Sequence, residues 1–156
     1  MSIREEYLYL TNSGKDNKEA IERLAEIIAL LRHECPWDKV QTHETLRKGM
    51  IEEAYEVVEA INNEDMANLR EELGDVLLQV VFHADLAKEE GEFDLKDIIN
   101  EECEKMIRRH PHVFLQETQN NSTKSIDKVL EKWENIKVEE KHEKSCASRL
   151  ERVPKA

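Results

Sequence analysis

The stretch from Leu73 to Ala87 constrains this chain most. Leu73, Val76, Leu77, Leu78, Val80, Val81, Phe82, Ala84 and Ala87 make it apolar almost all round, the pattern of a buried helix. One polar row runs through it at helical spacing, Glu72, Asp75, Gln79 and His83. Taking ionised carboxylates out of water is costly unless a cation or hydrogen-bond donors compensate. Something positive must therefore face this row.

The preceding segment carries a second acidic motif, Glu52-Glu53-Ala54-Tyr55-Glu56, and Asn62-Asn63-Glu64-Asp65 between the two is a turn signal. The two helices are thus expected to form an antiparallel hairpin. Glu56 and Glu72 then stand at matched heights, roughly 10 Å from the turn at about 1.5 Å per residue, with Glu53 and Asp75 one turn further along. On the first helix the apolar stripe Leu46, Met50, Ala54, Val57 and Ile61 lies roughly 60° from Glu53 and roughly 120° from Glu56, with Glu52 and Glu59 nearly opposite. Glu53, Glu56, Glu72 and Asp75 are accordingly the expected metal ligands. Four oxygen donors on neighbouring helices suit a hard cation, magnesium or manganese. In a chain that is 37% charged, Glu-x-x-Glu alone is most often a solvated helix face. The acidic row inside an apolar helix has one main harmless explanation, an ion pair with Lys or Arg from another helix.

These motifs resemble those of the MazG-type nucleotide pyrophosphohydrolases, whose hallmark is Glu-Glu-x-x-Glu followed by Glu-x-x-Asp on the next helix. The resemblance extends to Cys35-Pro36-Trp37-Asp38 with Gln41-Thr42-His43, to Leu78-Gln79-Val80-Val81-Phe82-His83-Ala84, to Arg108-Arg109-His110-Pro111-His112-Val113-Phe114, and to Trp133-Glu134 with Ile136-Lys137. It covers roughly Glu19 to Lys144. It implies an all-α, MazG-like helical bundle, dimeric, that uses magnesium to hydrolyse nucleoside triphosphates to the monophosphate and pyrophosphate, in the manner of nucleotide-pool house-cleaning. It also places Lys105 and Arg109 at the phosphates and gives Trp133 and Lys137 a part in holding the nucleotide. On pattern alone, Lys105 and Arg109 share a helix face that Arg108 does not, which a solvated basic edge would also explain. Trp133 falls within an apolar stripe that suits core packing.

Five helices and no strand are expected: Lys18 to His33; Thr42, as N-cap, to about Asn62; Met66 to Glu90, ended by Gly91; Asp94 to about Arg109, with Ile99, Cys103, Met106 and Ile107 inward; and a fifth capped by Ser125, with the stripe Ile126, Val129, Leu130, Trp133 and Ile136. Residues 1–17 read as a loosely held arm, 18–144 as the domain, and 145–156 as a polar tail or linker start. Gln116 to Ser125 reads as a mobile polar loop. His83 is expected to hydrogen-bond inside the core rather than bind metal. For Trp37 a pocket role and a loop anchor stand side by side.

Net charge −12 argues against nucleic acid as a partner, since that needs a basic surface. Three widely spaced cysteines with no Cys-x-x-Cys pair point to a reducing, cytoplasmic setting. The N-terminus has neither signal-peptide character nor a membrane span. Two other classes could also gather acids on helices. A di-iron bundle needs two Glu-x-x-His motifs, and the one match is Glu139 to His142. A non-catalytic helical interaction module leaves the buried acidic row unexplained.

Overall fold

The computed structural model describes residues 3–114 and 125–141. The expected polar loop at 116–124, the tail at 145–156 and His142 lie outside them. Among the described residues there is no strand, and the five expected helices are present: α1 (Asn17–Glu34), α2 (His43–Asn62), α3 (Met66–Glu90), α4 (Leu95–Arg109) and, after a four-residue α5 (Pro111–Phe114), α6 (Ile126–Lys141). The chain divides into two compact units, Met1–Ile98 and Ile99–Ala156. No helix among the described residues is long and apolar enough to cross a membrane.

Local signals set the helix ends in the first unit. Asp16 caps α1 by accepting from the Glu19 N–H, and Thr42 and Thr45 close a reciprocal capping box on α2. Asp65 accepts from the N–H groups of Ala67 and Asn68 to start α3. Gly91, at φ 77°, ends α3 in the left-handed conformation that glycine adopts without penalty. Between α2 and α3, Glu64 takes φ 55°, an uncommon conformation for a residue with a Cβ.

The core is formed by Ile28 of α1, Leu46 of α2, and Val81, Phe82 and Leu86 of α3, flanked by Ile21, Leu24, Ala25, Leu78 and Leu95. Burial on α3 is lopsided, which corrects the expectation of a helix enclosed along its length. From Val81 to Ala87 it is buried on nearly every side, whereas Leu73 and Leu77 are exposed. The expected stripe on α2 is also rotated. Leu46 and Ala60 are buried, Gly49, Met50 and Val57 half-buried, and Ala54 and Ile61 exposed. Gly49 and Ala60 are small enough for α3 to come close on their side, so the contact face follows side-chain size as well as hydrophobicity.

Four further expectations change. Residues 1–17 are not merely loose: Glu5–Thr11 form a 3-10 turn with Leu10 buried, and Arg23 Nε donates to the Leu10 carbonyl at 2.6 Å. On α4, Ile99, Cys103 and Ile107 are exposed and Met106 is half-buried. On α6, Ile126 and Leu130 are exposed while Val129, Trp133 and Ile136 are half-buried. Trp37 does not anchor its loop, for it is 61% exposed.

Arg32 anchors that loop instead. Its guanidinium donates to the carbonyls of Asp38 and Gln41, forms a two-pronged pair with Glu89 of α3 at 3.0 and 2.6 Å, and lies 5.8 Å from the centre of the Phe82 ring. One nearly buried cation thereby ties α1, the α1–α2 connection and α3 together, and it holds the Glu89 carboxyl below its usual range. Replacing Arg32 with Met leaves two carbonyls without their donor and is expected to cost roughly 2–4 kcal/mol in urea denaturation. Arg32→Lys is expected to recover little, because an ammonium cannot reproduce the planar fork. Loss at the half-exposed partner, Glu89→Gln, is expected to stay below about 1 kcal/mol.

Candidate metal and phosphate site

The hairpin turn sets which residues of α2 and α3 meet. Asn63 N–H donates to Glu59 O, Glu64 N–H to Ile61 O and Asp65 N–H to Ala60 O, so α2 ends and α3 begins within three residues. Counting outward from Glu64, Glu56 meets Glu72, Glu53 stands level with Asp75, and Gly49 faces Gln79. A Cβ added to Gly49 would lie 2.9 Å from Gln79 Nε2, so the missing side chain makes room for the glutamine.

Carboxylate oxygens of Glu53, Glu56 and Glu72 all lie within 4.8 Å of one another. Glu72 is buried, only 9% exposed. Asp75 is half-buried and stands outside this closest triplet, yet near enough for its charge to act on both Glu53 and Glu72. Glu52 and Glu59 are exposed, and Glu52 pairs with Lys48 at 2.9 Å.

Among the described residues, the site's negative charge has no paired counter-charge. Burial raises the Glu53 carboxyl above its ordinary range, and the charges of Asp75, Glu56 and Glu52 push it further. Burial also raises Glu72, with a hydrogen bond to Glu56 and the charges of Glu56, Asp75 and Glu71 adding to it. Among the described residues, no ion pair joins Glu53, Glu56, Glu72 or Asp75 to a Lys or Arg. The harmless explanation of the acidic row thus finds no support there. Donor oxygens on one magnesium ion stand about 3–4 Å apart, given bonds of about 2.1 Å, so small rotations would bring this triplet onto a cation. The donor set fits magnesium.

The other expected site residues belong to the second unit. Lys105 and Arg109 are half-buried and Arg108 is exposed; Lys105 pairs with Glu102 one turn away. The Lys137 ammonium lies 4.1 Å from the centre of the Trp133 ring and 2.9 Å from Glu134. A cation over the ring is favourable for both groups, and it also covers ring surface that a stacked base would use. His110 lies 6.0 Å from Trp133 and donates through Nδ1 to the Met106 carbonyl at 2.6 Å. Trp133 Nε1 is buried with no hydrogen-bond partner among the described residues.

Sequence reasoning gave His43 no individual role. Its Nδ1 lies 2.7 Å from Nδ1 of His83, so His83 does make an internal hydrogen bond. The signal was available: His43 and His83 stand at nearly equal distances from the turn, by the same count that pairs Glu56 with Glu72. Gln79, between these levels, has a buried Oε1 without a partner among the described residues.

Comparison with known proteins gives a consistent picture. A family model described as the MazG nucleotide pyrophosphohydrolase domain matches residues 41–114. The chain is 47% identical over 139 residues to a nucleoside triphosphate pyrophosphohydrolase of Escherichia coli, covering 87% of this chain and 51% of that protein. It is 46% identical over 128 residues to the nucleoside triphosphate pyrophosphohydrolase/pyrophosphatase MazG of Thermotoga maritima, covering 81% of this chain and 47% of that one. The chain spans about half the length of these curated relatives. The crystal structure of a mazG-related protein from Thermotoga maritima superposes with a TM-score of 0.61 at 34% identity, covering 74% of this chain and 97% of that one.

A carboxyl whose pKa is higher in the folded than in the unfolded chain stabilises the fold below its ordinary range, and that contribution is lost as pH rises through the raised value. Without divalent ions, the contribution of Glu53 and Glu72 to stability is therefore expected to decline from about pH 4.5 upward. Glu72→Gln is expected to raise the metal-free melting temperature at neutral pH, flatten this decline and shrink the increment produced by magnesium. Thermal melts across pH, with and without magnesium, check all three. An unchanged increment in Glu72→Gln would mean that magnesium binds elsewhere.

Proposed function

The chain belongs to the MazG nucleotide pyrophosphohydrolase family, and from that premise we propose that it hydrolyses nucleoside triphosphates to the monophosphate and pyrophosphate. The observation that supports this most is the carboxylate cluster of Glu53, Glu56 and Glu72, with Asp75 close by and no basic side chain paired to it among the described residues. These four residues would hold magnesium, with manganese as a substitute. Bound there, the ion would supply charge neutralisation for the phosphates and a lowered pKa for the attacking water.

The remaining work falls to protein groups. These carboxylates, from buried Glu72 to exposed Glu56, keep negative charge fixed on two packed helices, so little reorganisation is needed when the polyanion arrives. Lys105 and Arg109 would neutralise the departing pyrophosphate, each as a charge-assisted donor. Trp133 would offer an aromatic edge to the base, with Lys137 beside it. The substrate is a small polyanion and not nucleic acid, in keeping with net charge −12. The setting is cytoplasmic, as free Cys35 and Cys103 suggest, and the role is nucleotide-pool house-cleaning.

A homodimer is part of this reading. Ile51, Tyr55 and Val58 form an exposed apolar row on α2, and Met66, Leu73 and Leu77 are exposed on α3. Side chains of this size in rows at helical spacing are what a second copy would cover.

Pyrophosphate release from a panel of ribo- and deoxynucleoside triphosphates tests the proposal. Asp75→Asn is expected to keep the helical content and nearly abolish release, because one anionic donor is lost with little change in volume. Glu59→Gln is expected to behave as the unmodified protein; equal damage from both would contradict the site assignment.

The same assay separates the basic residues. Lys105→Ala and Arg109→Ala are each expected to cost roughly 1–3 kcal/mol in kcat/KM, and Arg108→Ala far less. Equal rates for these three variants would remove α4 from the site. Magnesium binding without pyrophosphate release from any triphosphate would instead favour a non-catalytic helical module.

A further inference from the structure

The rings of His43 and His83 are parallel to within 1°, with centroids 5.0 Å apart, which at first suggests face-to-face stacking. Yet the two Nδ1 atoms are 2.7 Å apart. The centroid separation is the N···N distance lengthened by about one ring radius at each end. The imidazoles therefore lie edge to edge in one plane, and a single proton between the Nδ1 atoms makes a straight N–H···N hydrogen bond. His43 is the first residue of α2 and His83 lies in the enclosed half of α3. This contact fastens the end of α2 that the turn does not hold.

We propose that the His43–His83 hydrogen bond is a proton-dependent pin that sets α2 against α3 and thereby positions Glu53 and Glu56 opposite Glu72. The turn at Asn63–Asp65 fixes one end of the pair of helices and the pin fixes the other, with Gly49 packed against Gln79 between them. A helix held at one end can swing, and a small displacement among converging ligands is costly in affinity. His43 and His83 act here as positioning residues and touch neither metal nor phosphate. The proposal rests on the preceding reading only for what the carboxylates hold.

The protonation logic follows from the facing atoms. One added proton is tolerated, because protonated His43 can donate Nδ1–H to the lone pair of His83. Its Nε2 faces Glu90 of α3 at 3.9 Å, and Glu44 lies within reach of its charge in the first turn of α2, with Arg47 acting on Glu44 in turn. On α1, Arg32 is held by Glu89 and the Asp38 and Gln41 carbonyls. A second proton, on His83, sets N–H against N–H and breaks the bond. Burial, and then the charge of His43, keep His83 below its ordinary imidazole range. Its stabilising contribution is thus complete above about pH 6.5 and is lost as pH falls through the lowered value.

Two variants separate the hydrogen bond from packing. In His83→Asn the amide places a donor and an acceptor near the former Nδ1, so it can meet His43 in either protonation state. His83→Leu fills the space and makes no hydrogen bond. Amide hydrogen exchange, corrected for intrinsic rates, is read from Arg47 to Glu56 on α2 and around Ile28 on α1 as an internal control. In the unmodified protein, α2 protection is expected to fall about five- to tenfold between pH 8 and pH 5, the scale of one hydrogen bond. His83→Leu is expected to be low at both pH values and His83→Asn high at both, with α1 unchanged. Equal protection at pH 8 in His83→Leu and the unmodified protein, or a pH dependence that survives in His83→Asn, would overturn the pin. Magnesium affinity by calorimetry at pH 8 is the second arm. It is expected to weaken several-fold in His83→Leu and recover in His83→Asn, and an unaltered affinity in His83→Leu would overturn the positioning role. No magnesium binding by the unmodified protein would count against the proposed function alone, leaving hydrogen exchange to decide the pin.

Discussion

The register of α2 against α3 is the constraint on which the rest depends. Once the Asn63–Asp65 turn is closed by its three backbone hydrogen bonds and capped by Asp65, residues equidistant from it on the two helices must face each other. Glu56 meets Glu72, Glu53 stands level with Asp75, Gly49 receives Gln79, and His43 reaches His83. A shift by one residue would turn each side chain about 100° around its helix and disperse the cluster. The tight turn and small interface residues serve the site as much as the core does.

What this register assembles is electrostatically unfavourable by itself. Burial and mutual repulsion raise both Glu53 and Glu72, and no basic side chain among the described residues is paired with them. Stability alone would favour apolar residues in such a place, since buried charges seldom stabilise a fold on balance. A cation bound among them would offset that cost. The stable part of the molecule lies further along α3, where Val81 to Ala87 meet α1 and where Arg32 ties the α1–α2 connection to Glu89. The structure thus pairs a strained acidic end with a well-packed opposite end.

Much of this was legible in the sequence because it depends on counting. Helix ends at Asp16, Thr42, Asp65 and Gly91 are marked by short-range chemistry, and the matched heights of the acidic residues follow from the turn. The rotation of α2 was not legible. Hydrophobicity placed Ala54 and Ile61 inward, whereas close approach selected Gly49 and Ala60, and a pattern of apolar residues cannot weigh smallness as a packing advantage. The full burial expected of α3 holds from Val81 to Ala87 but not over Leu73 and Leu77, which are exposed. A lone histidine at a helix start, such as His43, carries no periodic signal; only the register gives it a partner. The exposed Trp37 and the role of Arg32 depend on loop geometry that no local pattern encodes.

The central claim is that these carboxylates gather to hold a divalent cation. The most direct test is a crystal of the protein grown with manganese and measured at the manganese absorption edge. The account predicts an anomalous peak about 2.1–2.3 Å from oxygens of Glu53, Glu56 and Glu72, with Asp75 joining directly or through water, and loss of that peak in Glu72→Gln. An anomalous map with no peak between α2 and α3, and a Lys or Arg side chain lying among these carboxylates instead, would contradict it.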